Sequence, residues 1–149
     1  MSTEALYCSL IEFGTPGFDE AVRLRYEILR KPLNLDFSAE DIALEYDSVH
    51  LGCYASATGE LLGVLILKKI DNQVVKMRQV AVAANVQSQG VGSYMVKHSE
   101  HVARDLGFQV IELHAREQAV AFYKKLGYQP AGSTFQEVGI PHLFMSKKL

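Results

Sequence analysis

Residues 80–93 read VAVAANVQSQGVGS. The first three residues are typical of a strand end, and two glycines two positions apart follow within the segment. From Val91 onward, apolar residues at Met95, Val102 and Leu106 recur at helical spacing. The sequence therefore predicts a strand, a glycine-containing loop and a helix in direct succession.

The predicted loop has the features of an anion-binding nest. The first turn of a helix leaves backbone N–H groups without internal partners, and the aligned peptide dipoles place partial positive charge there. Glycine allows a phosphate to approach the backbone, so residues 87–93 suit a pyrophosphate. The same pattern also occurs where two glycines serve packing alone. No Gly-Lys-Ser/Thr follows, and Val96 stands where a dinucleotide fingerprint would place a third glycine.

Further elements on both sides of this loop predict an α+β fold. Upstream the patterns indicate a strand over 5–13, helices over 18–30 and 38–46, and three antiparallel strands over 49–57, 61–70 and 73–83. Downstream they indicate a strand over 110–113, a helix over 118–126, and strands over 128–133 and 143–147. With no linker or repeat in the sequence, we predict a single domain over 1–149.

Composition excludes several classes of function. The chain has 149 residues, 48% of them hydrophobic, and a formal net charge of -2, so no general attraction to nucleic acid or to an anionic membrane is expected. No apolar run approaches the roughly 20 residues of a membrane span, and residues 1–13 lack the pattern of a signal peptide. Cys8 and Cys53 are expected to be buried free thiols of a cytoplasmic protein, with no metal site.

Two motifs carry a resemblance to a known family. Gln87-x-x-Gly90-x-Gly92 after the Val-x-Val strand end resembles the acetyl-CoA signature of the GNAT superfamily of N-acetyltransferases, and AVAFYKKLGY over 119–128 resembles its second signature. The resemblance implies a GNAT-like mixed, mostly antiparallel central sheet flanked by about four helices. The tail Phe135-x-x-x-Gly139-Ile140-Pro141-His142 is similar to that of a branch of small bacterial members.

The resemblance also implies a reaction and its donor site. The co-substrate would be acetyl-CoA, and the acetyl group would move to a primary amine by direct attack in a ternary complex. Tyr123 matches the family tyrosine that protonates the departing CoA thiolate; a phenol of pKa near ~10 is a reasonable acid toward a thiolate whose conjugate thiol lies near ~8.5. The implied acetyl-CoA contacts are Val80, Ala81 and Val82 of the strand end and Gln87, Ser88, Gln89, Gly90, Val91, Gly92 and Ser93 of the loop.

The acceptor side is less defined by the sequence. A small-molecule amine or a protein or peptide amine is expected as the acceptor, and Arg25, Glu45 and His142 are its candidate ligands. The resemblance gives no general base, because Ile111 stands where some members place a glutamate.

Two positions near the end of the strand at 110–113 bear on the base and on CoA. Strand alternation puts Glu112 and His114 on the face opposite Ile111, so both are expected at the surface or in supporting positions. Arg116 stands where many family members carry an asparagine that contacts pantetheine, and it is expected to face solvent.

Two alternative functions and one possible assembly stay open from the sequence. The chain could be a GNAT-like module that senses CoA without turnover, or an α/β regulator that binds ATP or NAD. The late strands, if exposed, also offer a route to a homodimer.

Overall fold

The computed structural model of the chain describes residues 5–149, which share one seven-stranded sheet in the order β1-β2-β3-β4-β5-β7-β6. The strands are β1 Leu6–Ile11, β2 Val49–Ala55, β3 Leu61–Lys69, β4 Val74–Val82, β5 Val110–Arg116, β6 Gln129–Glu137 and β7 Ile140–Lys148. All neighbouring strands are antiparallel except β4 and β5. The predicted mixed, mostly antiparallel sheet is confirmed.

Within residues 5–149, four α-helices flank the sheet: α1 Pro16–Arg25, α2 Ala39–Ala43, α3 Val91–Asp105 and α4 Val120–Lys125. The Thr15 side chain caps α1 by accepting a hydrogen bond from the Phe18 N–H (3.3 Å), and Ser38 caps α2 in the same way from the Asp41 N–H (3.0 Å). After α1 the chain continues as a wide π turn over Tyr26–Arg30 and a 3-10 turn over Lys31–Leu33. Among residues 5–149, no helix is both long and apolar enough to cross a membrane.

The helices divide between the two faces of the sheet. On one face, which we call the α3 face, Met95 packs in a cluster with Ile111 and Leu113. On the other, the α1 face, Phe18 and Ala21 pack against Val64 and Ala81. Burial of these apolar side chains is the main force that holds the helices to the sheet.

The sheet opens between β4 and β5. Their parallel pairing covers only Val74–Met77 of β4 and Val110–Leu113 of β5. Beyond that point β4 continues to Val82 without β5 beside it, while β5 stays paired with β7 as far as Arg116. The result is a wedge-shaped gap in the middle of the sheet.

A β-bulge in β4 lies at this gap. Two steps along β3, from Val64 to Ile66, match three steps along β4, from Ala81 to Arg78. Gln79, within the bulge, has φ +54, in the left-handed region that a non-glycine residue rarely adopts. The bulge therefore shifts the alternation of side chains along β4 at the point where the gap begins.

The last strands are longer than the sequence predicted. β5 reaches Arg116 rather than ending near 113, and β6 and β7 form a hairpin up to Glu137 and Ile140. The turn is Val138-Gly139, with φ +48 and +77, the geometry of a tight two-residue hairpin. A valine in a left-handed conformation is uncommon, so the turn escaped sequence reasoning. β6 is an edge strand, and pairing through it in a homodimer stays a prediction.

The two cysteines, distant in sequence, are directly opposed in space. Cys8 on β1 and Cys53 on β2 are register partners, and both are free thiols. Cys53 is buried as expected, whereas Cys8 is half-buried.

Candidate active site

A cavity of about 330 Å³ occupies the gap between β4 and β5. Its lining comes from both faces of the sheet and from the β6–β7 hairpin. Met77, Val80, Leu113, Ala115, Ala119 and Tyr123 supply mainly apolar surface. Arg30, Lys76, Arg78, His114, Arg116, Glu137 and His142 supply charged and titratable groups. A cavity of this size that combines apolar surface with convergent polar groups is typical of a small-molecule site.

The loop at the start of α3 has the geometry expected of an anion site. Gly90 precedes the first helical residue with φ +87, and no side chain caps the helix there. The first-turn N–H groups of Val91, Gly92 and Ser93 have no partner within the helix. A Cβ built on Gly90 would meet no atom within 4 Å, so space for a ligand is open beside the backbone. These residues fit a pyrophosphate group.

The remaining predicted loop residues shape this turn. The Gln87 side-chain amide donates to the Val82 carbonyl (3.1 Å) and ties the loop to the end of β4. Ser88 has φ +65, and Gln89 reaches the Asn85 carbonyl at 3.5 Å. Both side chains are exposed, so the loop offers its backbone and polar side chains to solvent.

The three predicted residues of the β4 end take different positions. Val80 lines the cavity, whereas Ala81 packs on the α1 face and Val82 packs on the α3 face. Because β5 has turned away, the β5 side of this part of β4 has no strand partner. Its backbone groups are therefore available to a ligand in the gap.

Close packing joins the loop to the helix that carries Tyr123. A Cβ on Gly92 would lie 3.2 Å from the Phe122 ring, which is tighter than side chains tolerate without movement. Gly92 therefore lets α3 and α4 approach each other. The expected loop and the expected tyrosine belong to one packed unit on the α3 face.

Tyr123 lines the cavity from the α3 face and is only 6% exposed. Its ring packs between Phe122 (centroids 5.0 Å apart) and Tyr128 (5.7 Å). Burial raises the pKa of the Tyr123 phenol well above its ordinary value. The phenol therefore holds its proton at every physiological pH and can donate a hydrogen bond into the cavity.

His114, Glu137 and His142 form a carboxylate–imidazole group on the opposite side of the cavity. The Glu137 carboxylate lies 3.1 Å from His114 Nδ1 and 3.6 Å from His142 Nε2. Desolvation raises the pKa of Glu137, but the hydrogen bond from His114 and the nearby His114, His142 and Lys76 outweigh it, so the net pKa is lowered. Glu137 therefore remains a carboxylate.

This arrangement selects a tautomer for His114. A carboxylate only accepts hydrogen bonds, so His114 Nδ1 carries the hydrogen and Nε2 keeps the lone pair in the neutral ring. The Phe135 ring meets the imidazole edge-on at 4.9 Å and restricts its rotation. In this tautomer the neutral ring can accept a proton at Nε2. His114 lies on the face opposite Ile111, as the strand alternation predicted, and there it lines the cavity instead of the outer surface.

Arg116 also departs from expectation. Instead of facing solvent, it lines the cavity, and its guanidinium donates to the Leu29 carbonyl (2.9 Å). Desolvation by burial is the main cause that lowers its pKa. The contact fastens the turn after α1 to the end of β5 and keeps a positive charge at the cavity wall.

Of the three expected acceptor ligands, only His142 lines the cavity. Arg25 and Glu45 form a buried bidentate ion pair, with N–O distances of 2.8 and 2.7 Å. Their side chains are 1% and 8% exposed, so the pair fixes the packing of α1 against the segment after α2. A carboxylate and a guanidinium that neutralise each other are not free to bind an acceptor, which argues against the substrate roles expected for them.

Several residues of the cavity were missed by sequence reasoning. Lys76 and Arg78 alternate with the buried Val75 and Met77, and this period of two could have flagged a charged face. Glu137 had no such signal, because its position depends on the unpredicted hairpin. Within residues 5–149, no group of three or more His, Cys, Asp or Glu side chains has the arrangement of a metal site.

Comparison with known proteins gives a consistent family. Residues 18–128 match the model of the acetyltransferase (GNAT) family. The uncharacterized N-acetyltransferase YjcF of Bacillus subtilis is 33% identical over 86% of this chain and 90% of its own length. The uncharacterized protein YyaT of the same organism is 32% identical. That match covers 54% of this chain and only 55% of the length of YyaT.

Solved structures show the same fold. A candidate N-acetyltransferase from Lactobacillus plantarum superposes with a TM-score of 0.83 at 21% identity, over 97% of this chain and 99% of that one. A GNAT family acetyltransferase from Elizabethkingia anophelis, solved with acetyl-CoA bound, gives 0.74 at 18% identity, over 97% and 98% of the two chains.

Proposed function

Because this chain belongs to the acetyltransferase (GNAT) family, we propose that it is an enzyme that transfers an acetyl group from acetyl-CoA to a primary amine by direct attack in a ternary complex. One observation carries the proposal: the gap between β4 and β5 has Tyr123 on one side and the His114–Glu137 pair on the other. A donor and an acceptor that enter from opposite faces of the sheet would meet in this gap.

The donor residues follow from the fit of the α3 loop to a pyrophosphate. Gly90, Val91, Gly92 and Ser93 would hold the phosphates with backbone N–H groups, supported by Gln87, Ser88 and Gln89. The free edge of β4 over Val80–Val82 would hold the pantetheine arm. Bound there, acetyl-CoA supplies the acetyl group: a bond forms between the amine nitrogen and the carbonyl carbon as the carbon–sulfur bond breaks.

Two side chains would assist the proton transfers of the reaction. His114 Nε2 would accept the proton that leaves the amine, while Glu137 holds the imidazole in the required tautomer. Tyr123 would donate a hydrogen bond to the departing thiolate from the α3 face. Because burial raises its pKa above the ordinary phenol value, complete proton transfer from Tyr123 is less favourable than the sequence alone suggested. The sheet that joins all described residues supports one catalytic domain over 1–149.

The role of His114 can be tested by substitution. We expect His114→Gln to lower kcat/KM about 100-fold, the lower end of what general acid–base catalysis contributes, with acetyl-CoA affinity unchanged. His101→Gln, a histidine exposed on α3, is the control and should keep wild-type activity. Equal activity of His114→Gln and wild type would rule out His114 as the base.

Release of free thiol from acetyl-CoA with a panel of amines tests the reaction itself. Amine-dependent release supports the enzyme. Tight CoA binding in calorimetry without release on any amine would instead support a module that senses CoA.

A further inference from the structure

The α1 side of the cavity carries an excess of positive charge. Four cationic side chains, Arg30, Lys76, Arg78 and Arg116, line it together with one carboxylate, Glu137. The chain as a whole has a net charge of -2. The basic wall is therefore a local feature that runs against the overall charge of the protein.

Within the described residues, none of these cations has a direct ion-pair partner. Among residues 5–149, the five ion pairs with N–O distances up to 4.0 Å involve none of the four. Arg30 stacks on the Phe37 ring (4.6 Å to its centroid), and Arg116 binds a backbone carbonyl. Like charges gathered at a partly desolvated site are unfavourable unless an anion joins them.

The pKa values of these groups agree with that imbalance. The pKa of Arg30 is lowered by desolvation and then by Arg116, Arg25 and Arg78, and that of Lys76 by desolvation and Arg78, while Glu137 acts in the opposite direction on both. A bound anion would offset both the desolvation penalty and the repulsion.

The CoA phosphates are poorly placed to be this anion. The α3 loop that fits the pyrophosphate belongs to the α3 face, where Val91 and Met95 pack. Arg30 and Arg78 instead border a second cavity of about 330 Å³ in the α1–α2 region. Lys68 adds a third cation to its lining, which also includes the carboxylates of Asp41 and of Glu45, the partner of Arg25. The basic wall and the phosphate loop therefore lie on opposite faces of the sheet.

We propose that the acceptor is a small amine that also carries an anionic group, a carboxylate or a phosphate, which Arg30 and Arg78 bind. The inference rests on the proposed acetyl transfer and names its substrate class. The amino group of such an acceptor is directed toward the one carboxylate of the wall, Glu137, and its partner His114. A basic wall opposed by a single carboxylate matches a molecule with both charges.

Gln79 adds an independent feature to this subsite. Its side-chain oxygen is buried and has no hydrogen-bond partner among the described residues, although Gln79 lines both cavities together with Arg78. A buried acceptor without a donor is unfavourable, and an N–H or O–H of the acceptor would satisfy it.

Matched amines test the substrate class. The carboxylate arm compares glycine with glycinamide, the phosphate arm compares O-phosphoethanolamine with ethanolamine, and putrescine represents a purely cationic amine. We expect at least one anionic amine to exceed its neutral partner about 10-fold or more in kcat/KM, as charge-assisted hydrogen bonds would give. The arm that responds identifies the anionic group.

Substitution of the wall tests its assignment. Arg78→Gln should raise KM for the preferred anionic amine about 10- to 100-fold. The changes in kcat, in KM for the matched neutral amine and in CoA affinity should all be smaller. Arg23→Gln removes the same charge from an exposed position of α1 and should leave the preference intact. Arg30→Gln should repeat the Arg78→Gln result.

A binding measurement keeps this test separate from the proposed reaction. Calorimetric titration of O-phosphoethanolamine and of glycine into the CoA-bound protein should detect binding that Arg78→Gln weakens. If no amine is acetylated, binding of this kind still supports the anionic subsite while acetyl transfer fails. Turnover of neutral or cationic amines with equal or better efficiency, or a preference unchanged by Arg78→Gln and Arg30→Gln, overturns the inference and leaves acetyl transfer intact.

Discussion

The α3 face and the α1 face of the same cavity are built in different ways. On the α3 face, the loop before Val91 and the helix with Tyr123 are short, contiguous pieces of chain that pack on each other. On the α1 face, Arg30, Arg78 and Glu137 come from a turn after α1, a central strand and an edge hairpin. Backbone geometry defines the first surface, and side chains from distant segments define the second. Under the proposed function, donor recognition would be local in sequence, whereas acceptor recognition would depend on the assembled sheet.

Gly90→Glu should break the α3 side most completely. A carboxylate in the nest would repel the pyrophosphate and fill the space that is now open, so we expect CoA affinity to fall about 1,000-fold or more, about 4 kcal/mol. Gly107→Glu is a matched control, because Gly107 follows the same helix with φ +92 and equally open surroundings. Calorimetry that gives equal CoA affinity for both variants would remove the loop from the donor site.

Glu45→Gln should separate structure from function on the α1 side. The substitution leaves Arg25 as an uncompensated buried charge, and we expect the free energy of unfolding to drop by about 3 kcal/mol in urea titrations. Glu27→Gln, which breaks the exposed pair with Lys31, should cost at most about 0.5 kcal/mol. An unchanged stability together with a raised KM for the acceptor would return Glu45 to the substrate site.

Tyr123→Phe should affect chemistry without affecting binding. Loss of the hydroxyl is expected to lower kcat about 100-fold, equivalent to about 2.7 kcal/mol, while acetyl-CoA affinity stays the same. Tyr128→Phe removes another buried phenol, whose hydroxyl donates to Glu100 (2.9 Å), and should reduce stability but not kcat. If the two variants have equal kcat, Tyr123 is a packing residue.

Glu137→Gln should have the smallest effect, and it tests the role of the Glu137 carboxylate on the α1 side. His114 keeps a hydrogen-bond acceptor but loses its carboxylate, so we expect kcat/KM to fall about 10-fold. The control is Glu112→Gln on the same strand as His114. If Glu137→Gln keeps the wild-type kcat/KM, the Glu137 carboxylate is not needed to orient His114.

The same variant has a signature in stability. The pKa of Glu137 lies below its ordinary value of 4.5, so its contribution to folding is present above that value and disappears as pH falls through the lowered pKa. Wild type should therefore lose its stability advantage over Glu137→Gln in acid. If the stability advantage of wild type stayed constant from pH 7 down to values below the lowered pKa, the contacts of Glu137 with His114 and His142 would be contradicted.

The contrast between the faces also explains what the sequence could predict. The loop at Gly90 and Gly92 and the helix of Tyr123 are each defined by spacing within a short segment, whereas the contact of Gly92 with Phe122 that joins them appears only in the structure. Glu137 reaches His114 only because β7 pairs with both β5 and β6. That pairing depends on a left-handed Val138, which local sequence preferences disfavour. Arg25 and Glu45 were assigned to the acceptor because pairing of distant charges leaves no periodic signal.

The extra residue in the β4 bulge reverses the alternation of side chains between the two faces of the sheet. Before Gln79, Val75 and Met77 pack in the α3-face cluster, and Arg78 lines the cavity on the α1 side. The alternation along β4 puts Lys76 on the same side as Arg78. After Gln79 the alternation is reversed, because Val80 and Val82 pack toward α3 and Ala81 toward α1. Without this insertion, the strand would present Ala81 where Val80 and Val82 now pack, and two valines to α1. Because of this one inserted residue, Val80 and Val82 stay on the α3 face and Ala81 stays on the α1 face, although the strand is continuous.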